Sequence, residues 1–143
     1  MMEYGKFTDE QEATIRESLV AALEAYSKKN KWHITKEAFD VIFNPEEGDD
    51  PKSFPAKFNI QVYAAPEDRL NHYMAGAVNG CCMDFCRDMK SMAGAETGTA
   101  KADVLYISAQ NLGDLAKFLN KINAGLGTGV QIDVATFQKG KAV

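Results

Sequence analysis

Lys57-Phe58-Asn59-Ile60-Gln61-Val62-Tyr63-Ala64-Ala65, KFNIQVYAA, alternates without a break: Phe58, Ile60, Val62 and Ala64 fall on one side, Lys57, Asn59, Gln61 and Tyr63 on the other. A period of two marks a strand with one buried face, because successive side chains leave a pleated backbone on opposite sides. Upstream, KWHITKEAFDVIFNP repeats the pattern more weakly. Phe39, Val41 and Phe43 alternate against Asp40 and Ile42, although Thr35-Lys36-Glu37 could open a short helix instead. Between the two lies NPEEGDDPKSFP, rich in residues that break regular structure. No crossover helix separates the strands, so an antiparallel hairpin is expected.

Helical spacing surrounds this hairpin. Thr8 is a candidate N-cap with Gln11 three residues on; Ile15, Leu19, Ala22, Leu23 and Tyr26 then share one face, and Lys28 and Lys29 suit the last turn. Pro66 opens a second helix that runs to about Met92. A loop, AGAETGTAK, leads to the apolar strand ADVLYIS. Ser108 can cap a third helix carrying Leu112, Leu115, Phe118, Leu119 and Ile122, which AGLGTG stops. GVQIDVATFQK alternates once more and reads as a closing strand. The expected fold is α+β in the order α-β-β-α-β-α-β over one domain of 143 residues. It is a two-layer sandwich whose mixed four-stranded sheet has helices packed mainly on one face.

At this length a core buries about 70% of the unfolded chain's surface and needs no staple. The formal net charge of -4 lacks the clustered Lys and Arg that phosphate binding draws on, so no nucleic-acid partner is expected. No apolar run resembles a signal peptide or a membrane span, and a cytoplasmic protein without a membrane partner is expected.

All three cysteines stand in NGCCMDFC. On a helical wheel Leu70, Met74, Ala77, Val78, Cys81, Phe85, Met89 and Met92 occupy a sector of roughly 120°. Cys81 lies near its middle, Cys82 at its border, and Cys86 just outside. A structural zinc site needs four ligands, commonly two spaced pairs, and no second pair exists, so neither metal nor cofactor is expected. Asp88 falls near the centre of the same apolar face, an odd place for a carboxylate. His33 and His72 stand alone, and no Cys, Ser and His grouping is marked by spacing.

With no catalytic constellation, the leading expectation is a small acidic protein-interaction domain of inhibitor, immunity, chaperone or homodimeric regulatory type. Its contact face is expected to carry Ile42, Tyr63, Phe137 and Trp32. The acidic loop residues Glu46, Glu47, Asp49 and Asp50 would steer a basic partner. The competing expectation is a small-molecule module or enzyme with a pocket between sheet and helices near Asp88, Tyr106 or His72.

Overall fold

Thr8 caps the first helix, α1 (Asp9–Lys29), as its spacing to Gln11 predicts. Its hydroxyl accepts from the Gln11 N–H, while the Gln11 side chain accepts from the Thr8 N–H. Two amides left open by the first turn are thereby satisfied. Ile15, Leu19, Ala22, Leu23 and Tyr26 are buried, matching the predicted face. The computed structural model describes residues 6–43, 58–65, 72–93, 98–101 and 104–140.

After α1 the chain turns through Lys31 and His33, both with positive φ (62° and 57°). A non-glycine residue in this left-handed region is strained, so the turn persists only because something holds it. The Trp32 N–H donates to the Ser27 carbonyl (2.9 Å) and the Ile34 N–H to the Ser27 hydroxyl (2.7 Å). Between them Trp32 lies half-buried against the core. Its ring rests on Gly80, where a Cβ would come within 2.8 Å. Trp32 is therefore a packing residue and not part of an exposed patch.

A single 3-10 turn, Lys36–Ala38, precedes β1 (Phe39–Phe43), so both readings of that stretch hold in sequence. β1 pairs antiparallel with β2 (Phe58–Ala64), giving the expected hairpin. Then follow α2 (His72–Ala93), β3 (Gly98–Lys101), β4 (Val104–Ala109), α3 (Leu112–Leu126) and a short α4 (Val134–Gln138). The sheet order is β1-β2-β4-β3 and every neighbouring pair is antiparallel. The fold is α+β, but the expected mixed sheet is corrected on two counts. The stretch read as the loop AGAETGTAK supplies β3, and the stretch read as the closing strand is no strand.

The second correction has a clear cause. Asn120 on α3 accepts the Ile132 N–H through Oδ1 (2.7 Å) and donates Nδ2 to the Ile132 carbonyl (2.9 Å). One side-chain amide thus takes both groups that a neighbouring strand would take. Asp133 then caps α4 by accepting from the Thr136 N–H. Phe137, expected to face solvent, is fully buried. A third correction concerns α3, which is capped by Asn111 accepting from the Asp114 N–H and not by Ser108. Gly127, at φ 69°, ends the helix in the left-handed conformation that glycine adopts without strain.

Directly paired residues share a face, so the buried Phe39, Val41, Ile60, Val62 and Ile107 mark one side of the sheet. They form a single apolar cluster with Ile15, Leu19 and Leu23 of α1, Val78, Cys81 and Phe85 of α2, and Leu115, Leu119 and Ile122 of α3. Phe137→Ala is expected to lower stability by about 3–5 kcal/mol, read from the urea midpoint. A loss under about 1 kcal/mol would return Phe137 to the surface.

Candidate groove along the first helix

Arg16, Val20 and Glu24, at steps of four, form a short row on one flank of α1, with Arg16 exposed and Val20 buried against the core. Two anchors fix where this row runs. The Arg16 guanidinium lies over the Phe43 ring, 5.4 Å from its centre, and the Glu24 carboxylate accepts the Lys36 N–H at 2.8 Å. Arg16 thus sits by the end of β1 and Glu24 by its beginning, so α1 runs antiparallel to β1. Phe7 braces the Phe43 end, packing edge-on against Phe43 and Phe58 at 5.2 and 5.3 Å.

Along this row opens a groove of about 540 Å³, lined by Ala13, Arg16, Glu17, Val20, Ala21, Glu24, Lys36, Phe39 and Val130. Its apolar members sit between charges of both signs. A second depression of about 600 Å³ lies at the C-terminal end of α3 and shares Val130. There Asn120 and Asn123 are already held by the chain's own backbone and hydroxyl groups.

β1 forms an edge of the sheet beside the groove. The Ala65 N–H donates to the Ala38 carbonyl (2.9 Å), which makes Phe39–Ala64 a pair without mutual hydrogen bonds. By alternation the backbone groups of Phe39, Val41 and Phe43 point away from β2, to the open side. The Asp40 carboxylate takes the outward N–H of Val41 at 3.2 Å. An acid on the free edge blunts it against strand addition.

Of the residues expected at a contact surface, Ile42 is 37% exposed on the sheet side opposite the apolar cluster. Tyr63 pairs with Asp40 in the sheet, but its side chain lies outside the described part of the structure. Glu46, Glu47, Asp49 and Asp50 lie outside the described residues. Phe137 and Trp32 belong to the interior, as above.

The residues expected at a pocket do not assemble one. His72 opens α2 and Asp88 follows sixteen positions later, about 24 Å along the axis by helical rise. Tyr106 stands in β4 opposite Gln61. The side chains of His72, Tyr106 and Cys86 are not among those described. Asp88 is partly exposed and is held by the chain's own groups: the Tyr26 hydroxyl donates to its carboxylate at 2.5 Å and Arg87 lies 3.2 Å away. The Tyr26 bond, then Arg87, holds the Asp88 carboxyl below its ordinary range. Burial, then the Asp88 carboxylate, raises the Tyr26 phenol. This pair ties α1 to α2.

Cys81 is fully buried, as its wheel position predicts, and Cys82 is equally buried rather than at a border. Burial, then the Asp84 carboxylate, pushes the Cys81 thiol up to about 12, far from the thiolate form that reacts. Among the described residues no three His, Cys, Asp or Glu side chains gather as metal ligands. No described helix is long and apolar enough to cross a membrane. Comparison with protein-family models, curated proteins and solved structures finds no match.

Apolar periodicity does not mark the groove residues Ala13, Glu17 and Ala21, which lie beside the buried face of α1.

Asp88, with its folded pKa depressed, contributes stability that is present above the unfolded carboxyl value of about 4 and lost as pH falls through the folded value. Tyr26, with its pKa raised, contributes stability present below about pH 10 and lost as pH rises beyond it. Tyr26→Phe is therefore expected to cost about 1 kcal/mol at pH 7, the difference narrowing below pH 4 and above pH 10. A difference constant down to pH 2 in urea titrations would rule out a charge-assisted bond. Cys81 is expected to resist a thiol reagent at pH 8 until the protein unfolds; modification at a free-thiol rate, located by mass spectrometry, would refute its burial.

Proposed function

We propose that this chain is a protein-interaction domain and that the α1 groove is its contact surface. The observation supporting this reading is the groove's make-up: small and apolar side chains, Ala13, Val20, Ala21, Phe39 and Val130, between Arg16, Glu17, Glu24 and Lys36. Such a mixture of an apolar centre and a charged rim is the anatomy of a transient protein interface. A small-molecule site would instead close around its ligand with a few convergent polar groups. Here the groove is open, and Glu24 is already engaged with the Lys36 backbone while Arg16 lies against Phe43. Neither is free to act on a bound substrate without leaving a partner in the fold.

Ile42 offers a second contact on the far side of the sheet. A single exposed isoleucine is ordinary on a protein surface, so it ranks behind the groove.

A displayed random-peptide library selected on the immobilised protein tests the reading. Enriched peptides are expected to bind Ala21→Arg at least about tenfold more weakly, because arginine fills the groove without disfavouring the helix, and to bind Ile42→Asp unchanged. Failure to enrich any binder, or binders indifferent to Ala21→Arg, would sink it.

A further inference from the structure

We infer that the groove's partner is an acidic protein segment whose carboxylates dock on the turn after α1, where Lys31 and Lys36 stand unpaired. The inference rests on the groove being the contact surface and adds the partner's chemistry. Lys36 joins the two, since it lines the groove and follows the turn.

Between Glu24 and Glu37 the chain has four lysines, one histidine and no acid, in a protein whose net charge is -4. Lys28 and Lys29 have an ordinary account: they sit in the last turn of α1, where cations complement the helix dipole. Each also has an acid. Lys28 lies 3.7 Å from Glu24, and Lys29 adds, after Tyr26 and Arg87, to the lowering of the Asp88 carboxyl. That account stops where the helix stops. Lys31, His33 and Lys36 lie beyond it and are exposed, and among the described residues no carboxylate comes within ion-pair distance of Lys31 or Lys36. The nearby Glu37 carboxylate accepts from its own N–H and the Thr35 hydroxyl, with Lys36 a lesser influence.

Backbone geometry makes this turn a fixed platform. Lys31 and His33 hold φ of 62° and 57°, where a Cβ is strained. The end of α3 shows the strain-free solution, Gly127 at φ 69°. After α1 two long side chains bearing N–H donors take that conformation instead, and Trp32 on Gly80 together with the two bonds to Ser27 holds them in it. A turn that only ended the helix would gain from glycine.

The surroundings choose protein over nucleic acid. A polynucleotide would meet the acidic balance of the chain as a whole. Trp32, the aromatic residue of the turn, packs on the core and offers no platform for a base. An extended occupant is disfavoured as well, because the outward N–H of Phe39 goes to the Lys36 carbonyl and that of Val41 to Asp40. A helical segment with apolar side chains over Ala21 and Val130 and acids toward Lys36 and Lys31 satisfies both parts of the surface.

The peptides selected from the displayed library supply the probe. They are expected to carry more acids than bases, to bind more weakly in high salt, and to lose at least about fivefold in affinity with Lys31→Glu and with Lys36→Glu. Lys117→Glu, on an exposed position of α3, should leave binding unchanged. Lys31→Gly separates recognition from structure: glycine takes φ 62° without strain, so Tm should rise while binding still falls. Circular dichroism checks that each variant is folded.

Peptides that bind Lys31→Glu and Lys36→Glu as well as wild type overturn the acidic partner, as does a Lys31→Gly variant that gains stability with binding unchanged. If those peptides still fail on Ala21→Gln, which fills the groove without adding charge, the groove reading stands. Acidic peptides that depend on Lys31 but ignore Ala21→Gln take down the groove and the continuous surface with it. A labelled oligouridine that binds more tightly than the peptides overturns the choice of a protein partner. No enriched peptide at all takes down both readings.

Discussion

The fold turns on a buried amide. Asn123 of α3 is fully enclosed, and its Nδ2 donates to the Ser18 hydroxyl (2.9 Å), the Ser18 carbonyl (3.2 Å) and the Leu119 carbonyl (3.0 Å), while Oδ1 accepts from Thr128 (2.6 Å). A buried polar group left unsatisfied costs about 1–3 kcal/mol, so these bonds admit one register of α1 on α3 and little else. The same residue anchors the chain just past the helix stop at Gly127. What α1 shows to the solvent follows from that register.

Both ends of α1 are tied by polar contacts of the same kind. Near its start the buried Gln11 donates to the Phe137 carbonyl (2.9 Å), and Thr8 donates to the Gly140 carbonyl. Near its end Tyr26 holds Asp88 of α2 and Ser27 holds Ile34. With the inner face fixed on the core and the ends fixed on α2 and α4, Arg16, Val20 and Glu24 are held beside β1. The groove is therefore a consequence of how α1 is locked, and a rigid helix is a better platform for a contact surface than a loop.

Asp40 guards the open edge of the sheet beside that groove: by taking the outward N–H of Val41 it leaves an extended chain one donor fewer to pair with.

Much of the framework was legible in the chain itself. The Thr8 and Gln11 capping box, the buried face of α1, the alternation of β2 and the placing of Cys81 all follow from contacts within a few residues, where periodicity is a direct record of geometry. Tertiary structure decided the rest because the deciding partners are distant. Residues 130–134 alternate like a strand, but the hydrogen bonds of Ile132 go to Asn120, twelve residues back on a helix. Gly98–Lys101 carries little strand signal of its own and is a strand because β4 lies beside it. Asp88 looked like a charge in the core until Tyr26, from another helix, supplied its partner. The α1 flank shows the boundary most plainly: the spacing of Arg16, Val20 and Glu24 is written in the sequence, but only the packing of α1 against α3 and β1 decided that they line a groove.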